Sequence, residues 1–238
     1  MVLVRKIETR WLQILTHVAA LLPLALLAWD YWQGRFIDPV QEITTRTGKT
    51  ALILLILSLA CTPINTLLGF KQVMRVRRAL GLYAFMYASL HFLTFIGLDY
   101  GFDFDLIGQG ILDQRYVLVG FTAGLLLLAL AITSTQGWQK RLGKNWKRLH
   151  RLVYLAGILA IVHFMWLAKD NREPLRYGAV VALLLIVRIP AIKRALNNAR
   201  HQFKTRKTTD SGPQSHQASA CGEQSACGEA RRQHESEE

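Results

Sequence analysis

Residues 75–95 read RVRRALGLYAFMYASLHFLTF: three arginines in four positions, then an uncharged, mostly apolar run with a histidine, His91, towards its far end. A bilayer core of about 30 Å needs roughly 20 helical residues to cross it. Cations gather where such a helix leaves the membrane on its cytoplasmic side. The stretch therefore reads as a membrane-crossing helix over residues 79–98. Five further blocks of similar length and hydropathy flank it, at 11–29, 50–70, 116–135, 150–168 and 174–192. The first is too long, and lacks the small-residue cleavage site, for a removable signal. The expected fold is an all-α integral membrane protein, a bundle of six transmembrane helices.

Composition agrees. Of 238 residues, 51% are apolar and only 19% charged, yet the formal charge is +13. Soluble domains carry about a quarter charged residues, and a nucleic-acid binder would spread its cations over a polar sequence. Here basic clusters alternate with apolar blocks, which argues against a soluble enzyme and against a nucleic-acid partner. Counting Lys and Arg on alternate sides of six spans gives 22 on one side and 7 on the other. The positive-inside rule then places both termini in the cytoplasm. Residues 1–10 become a cytoplasmic N-terminus, 11–192 the transmembrane domain, and 193–238 a basic and then disordered cytoplasmic tail. That tail repeats SACGE at 219–223 and 225–229. Its Cys221 and Cys227 lack the further ligands a metal site needs. Between spans three and four an outer loop carries Asp99, Asp103, Asp105 and Asp113 against Arg115 alone. It reads as a solvated acidic loop, with a docking surface for a basic partner as the alternative.

Chemistry must reside in the few ionisable groups at membrane depth. No Asp or Glu lies inside a span, which weakens a proton-coupled transporter; the candidates are His17, His91, His150 and His163. Spans three and five run in the same direction. At 1.5 Å per residue, His91 and His163 sit about 4 and 6 Å beyond their span midpoints, at nearly one level. Paired imidazoles on neighbouring helices at one depth are the arrangement that grips a haem iron from both faces. Phe85, Tyr87, Phe92, Phe95, Phe164 and Trp166 lie near them in sequence, with small residues between. No Cys-x-x-Cys-His is present, so such a haem is non-covalent, of b type. His150 falls about 20 Å from His163 along the same helix, the separation for a second haem. An ideal helix turns those two rings to opposite faces. On span three the level matching His150 is held by Arg77. Arg77, Arg78, Arg148 and Arg151 are placed to hold a phosphate or propionate at the rim. His17 reads as a packing residue or as one that supports a ligand from behind.

The segment 75–95, together with TSTQGWQKRLGKNWKRLHRLVYLAGILAIVHFMW (133–166), DPVQEITTRTGKTAL (38–52) and CTP (61–63), resembles the MsrQ (formerly YedZ) family. These are haem-binding membrane subunits of the periplasmic protein-methionine-sulfoxide reductase system, within the ferric reductase-like transmembrane superfamily. The likeness spans roughly residues 8–200. It implies haem ligation by His91 and His163, with His150 as the inner ligand. A second span-three histidine of the superfamily's oxidases falls on Arg77, so the second haem lacks one ligand of the usual set. The resemblance also implies an FMN, assigned to no residue, and an inner-membrane location in bacteria. It further implies electron delivery to MsrP, a periplasmic molybdopterin enzyme that reduces methionine sulfoxide, a reversible lesion. Residues 193–238 carry no Gly-rich nucleotide fingerprint. Electrons are then expected from quinol or from a separate cytoplasmic flavin reductase. The chain is read as an electron-transfer subunit rather than the catalytic one, with one or two haems b. Two alternatives stay open: a stand-alone ferric or quinone reductase of the same superfamily, and a haem-free transporter or scaffold.

Overall fold

The computed structural model describes residues 2–188. These form α1 (Val2–Trp32), α2 (Pro39–Leu68), α3 (Val73–Thr94), α4 (Phe104–Asp113), α5 (Arg115–Ile132), α6 (Gln136–Leu142), α7 (Lys144–Leu149), α8 (Leu152–Leu167) and α9 (Arg172–Ile186). The second helix shows how local sequence sets the ends. The Asp38 carboxylate accepts the Gln41 N–H, Pro39 fills the first helical position, and Gly69 terminates the helix at φ 70°. Each choice supplies what a helix end lacks: an acceptor for an orphan N–H, a preset φ, and a residue free to turn left-handed.

Five segments are long and apolar enough to cross a membrane: Arg10–Trp32, Pro39–Leu68, Val73–Asp99, Arg115–Ile132 and Lys144–Leu167. Large apolar side chains cover their outward faces, among them Leu15, Trp29 and Leu128. A soluble protein rarely shows apolar surface on that scale, whereas helices with apolar flanks are what lipid requires. The chain is a multi-pass membrane protein. The sixth expected span is different. The helix α9 has 15 residues, a rise of about 22 Å, and residues 189–192 lie outside the described part. The tail from 193 onwards, with Cys221 and Cys227, lies outside it as well. The acidic loop also departs from expectation: Asp103 caps a short amphipathic helix, α4, by accepting the N–H groups of Asp105 and Leu106.

Two helical hairpins make the core. The helix α2 packs along α3, and α5 packs along α8. They meet at a cluster that includes Leu55, Ala84, Tyr87, Leu127 and Ala156. Ala84 and Ala156 are fully enclosed, which lets the helices approach closely, as small residues do in membrane bundles. The helix α9 packs against α8 and α2. On the other flank α1 leans on α3, held by Tyr87 Oη donating to the Ala20 carbonyl at 2.8 Å. A His17 Nδ1–Tyr83 Oη hydrogen bond, also 2.8 Å, adds to it. His17 is thus a packing residue, and Cys61 is buried, its thiol donating to the Leu57 carbonyl.

Candidate functional site

Helices α3 and α8 carry His91 and His163, and the bundle brings these rings together. Their centroids are 6.1 Å apart with planes 83° to one another. Each ring is tethered from behind. His91 Nδ1 lies 2.9 Å from the Thr44 carbonyl on α2, and His163 Nδ1 lies 2.7 Å from the Tyr116 carbonyl on α5. A carbonyl only accepts, so Nδ1 carries the proton in both rings and Nε2 keeps its lone pair. This is the arrangement that metal-bound histidines use, the second nitrogen donating outward to fix tautomer and orientation.

Room for the rings comes from two glycines. A Cβ on Gly48 would stand 3.0 Å from His91 Nδ1, and one on Gly120 would stand 2.7 Å from both Nδ1 and Cε1 of His163. Neither glycine is legible as functional from composition or hydropathy. A signal was nonetheless present. His163 follows His91 by 72 positions, as Gly120 follows Gly48, Tyr116 follows Thr44, and Ala156 follows Ala84. The two hairpins repeat one another, and a search for internal periodicity would have paired each histidine with its glycine.

The geometry fits a haem iron. Two metal–nitrogen bonds of about 2 Å each, plus the half-widths of two imidazoles, put ring centres roughly 6 Å apart. Among the described residues no three His, Cys, Asp or Glu side chains converge as a metal site. A porphyrin supplies four equatorial nitrogens itself and asks the protein for two ligands only. Of the aromatic residues expected around the pair, Phe92 packs between Phe95 and Phe121, and Phe164 contacts Tyr177 of α9. Tyr87 instead turns to α1 and Trp166 faces outward, 55% exposed.

The other end of the bundle is less regular. His150 does not continue an ideal helix with His163, as the sequence reading had it. It caps α7, the chain turns at residues 150–151, and α8 begins at Leu152. The opposed faces expected from a straight helix are therefore not the relevant geometry. The His150 ring lies against Trp146, centroids 4.1 Å apart. Its buried Nδ1 makes no hydrogen bond of good geometry, although the Trp146 carbonyl is near. Arg77 is half-buried within electrostatic reach of His150, while Arg78, Arg148 and Arg151 are exposed. One further residue at this end, not singled out by the sequence, is Arg188: it turns inward, its Nη2 donating to the Leu59 carbonyl at 2.5 Å and its Cζ 4.8 Å from the Tyr154 ring centre.

Comparison with known proteins agrees with this architecture. Residues 47–161 match the family described as ferric reductase like transmembrane component, a stretch that begins beside Gly48 and ends two residues before His163. A protein of Xanthomonas axonopodis pv. citri is 50% identical over 179 residues, covering 72% of this chain and 82% of the relative. One from Xanthomonas campestris pv. campestris (strain 8004) is 48% identical over 194 residues, covering 78% and 89%. One from Rhodospirillum rubrum is 44% identical over 192 residues, covering 76% and 89%. All three are named protein-methionine-sulfoxide reductase heme-binding subunit MsrQ. At this identity and coverage, the chain belongs to the MsrQ family.

Proposed function

We propose that this chain is the haem-binding membrane subunit of a protein-methionine-sulfoxide reductase system and serves as its transmembrane electron conduit. The observation that carries the reading is the His91–His163 pair, with ring centres 6.1 Å apart and both Nδ1 atoms engaged by backbone carbonyls. A b-type haem bound there supplies one-electron redox chemistry. The protein's part is to hold two imidazoles in the neutral tautomer with Nε2 unprotonated. The Thr44 and Tyr116 carbonyls raise the basicity of those rings. Gly48 and Gly120 let them sit flush against α2 and α5. The surrounding apolar helices keep water from them.

The finer reading follows from charge and from the family. Six spans with both termini in the cytoplasm put His91 and His163 towards the periplasmic face of the bacterial inner membrane. Electrons enter from quinol or a cytoplasmic flavin reductase and leave to a periplasmic molybdopterin reductase of the MsrP type. His150 serves a second haem near the cytoplasmic face, with Arg77, Arg78 and Arg148 around it. An FMN, also implied by the resemblance, is given no residue.

The test is a reduced-minus-oxidised spectrum with haem quantitation on the purified chain. His91→Ala and His163→Ala should each abolish the bands of the haem they share, whereas His150→Ala should leave those bands in place. Unchanged spectra in the first two variants would overturn the ligand assignment. A pigment-free wild-type chain from haem-replete cells would favour a transporter or scaffold instead.

A further inference from the structure

Arg77 on α3 and Arg188 just beyond α9 converge on one place at the end of the bundle away from His91 and His163. Each is within electrostatic reach of the other, of Tyr154 and of Cys61. Arg188 does not behave as a topology anchor. An anchoring arginine extends its head into water; this one folds back between helices. Its Nη2 is spent on the Leu59 carbonyl, and its Nε and Nη1 are buried with no partner. The ion pairs among the described residues are Arg35–Asp30, Arg46–Asp30, Arg46–Glu42 and Lys49–Glu173, all elsewhere. The two arginines meet adjacent residues of α2, Ser58 donating to the Arg77 carbonyl and Arg188 donating to the Leu59 carbonyl, and among the described residues no carboxylate pairs with either. Like charges partly withdrawn from water repel and are poorly solvated. Unpartnered buried donors on a guanidinium add a further penalty, because its planar fork is made for an oxyanion.

We propose that Arg77 and Arg188 form an oxyanion-binding site, taking the carboxylate or phosphate of a ligand seated between α2, α3, α8 and the end of α9. Arg188 Nε and Nη1 donate to the oxyanion, Arg77 supplies the second positive charge, and the Tyr154 ring backs the Arg188 guanidinium. His150 lies at the same end, within electrostatic reach of Arg77. Two sources carry such an oxyanion here: a haem propionate and a phospholipid headgroup. The site does not rest on the His91–His163 reading, since no atom is shared between them.

The test uses the full chain in a non-ionic detergent. Inorganic phosphate, titrated at constant ionic strength against chloride, should raise the thermal midpoint of the delipidated chain saturably. Arg77→Gln and Arg188→Gln should weaken that response at least about tenfold in phosphate affinity, and the exposed Lys147→Gln should leave it intact. Native mass spectrometry of gently extracted chain separates the sources. Loss of a haem mass in both arginine variants assigns a propionate, and loss of a phospholipid mass assigns a headgroup. Should either Gln variant fail to fold, the Lys replacements keep the charge and are expected to retain the site with lower occupancy. A wild-type chain with no saturable phosphate response, and with no adduct that depends on these arginines, overturns the proposal. His91→Ala should leave the phosphate response unchanged, so the two readings fail separately.

Discussion

His91 and His163 are each tied to a carbonyl 47 residues earlier and each lean on a glycine 43 residues earlier. Fourteen residues before His91 and thirteen before His163, the same two segments carry Arg77 and His150, and the correspondence stops. One level of the bundle is built twice by the same device. The other joins a histidine at a helix break to two arginines from different helices. The 72-residue repeat pairs His150 with Arg78, which is exposed, rather than with the half-buried Arg77. Duplication therefore explains the symmetric site and not the asymmetric one. A site that needs two equivalent ligands is served by repetition; a site that takes a charged, one-sided ligand is not.

The glycines give the largest effect by which this contrast can be broken. Gly120→Ala places a methyl 2.7 Å from two atoms of the His163 ring, and Gly48→Ala places one 3.0 Å from His91 Nδ1. The first distance is impossible without displacing the ring or the helix; the second asks for a few tenths of an ångström. Overpacking of this kind costs about 1–3 kcal/mol, and a displaced imidazole also loses its carbonyl bond. Gly120→Ala should lower haem per chain severely, and Gly48→Ala partially, both by quantitation on purified protein. Equal and full haem content in both variants would mean that the rings do not depend on these close approaches.

Much of the fold was legible because hydropathy and length report directly on the cost of leaving water. Five spans emerge as helices of 18 to 30 residues, each holding a strongly apolar stretch whatever its neighbours do. The depth match of His91 and His163 was legible for the same reason, since helical rise converts sequence into height. Rotation and breaks were not. The turn at His150–Arg151 has no proline to announce it. The only nearby sign is Gly143, at φ 48°, between α6 and α7. Arg188 counted as one more cation because charge tallies cannot say which way a long side chain bends. Gly48 and Gly120 were missed because a glycine in an apolar helix has many ordinary reasons to be there, and only its facing residue distinguishes them.

A smaller effect sharpens the boundary of the repeated unit. The helix α1 lies outside both hairpins and meets α3 through the Tyr87–Ala20 and His17–Tyr83 hydrogen bonds. Tyr87 is 1% exposed, so Tyr87→Phe removes a buried donor while keeping the ring's packing. The Ala20 carbonyl retains its place in the helix, and the net loss should be about 1 kcal/mol. Thermal unfolding should show that decrease with haem content unchanged. A fall in haem content would show that α1 braces the His91 level, although it stands outside the duplicated core.

The smallest effect concerns α9, which also stands outside the repeat. Its described tie at the start is Lys49 Nζ to Glu173, 2.7 Å, between side chains that are 37% and 56% exposed. Exposed pairs of this kind contribute below about 1 kcal/mol, because water and salt screen them and two long side chains must be ordered. Packing carries the rest: Val181 is 3% exposed and clusters with Leu52, Ile56 and Ile161, and Pro174 is buried. Lys49→Gln should therefore shift the thermal midpoint less than Tyr87→Phe does, and the shift should vanish at high salt. A larger, salt-sensitive loss would mean that α9 is held to the bundle by charge rather than by its apolar face. Its short helix would then behave as a detachable element beside Arg188, not as a fixed wall of the asymmetric site.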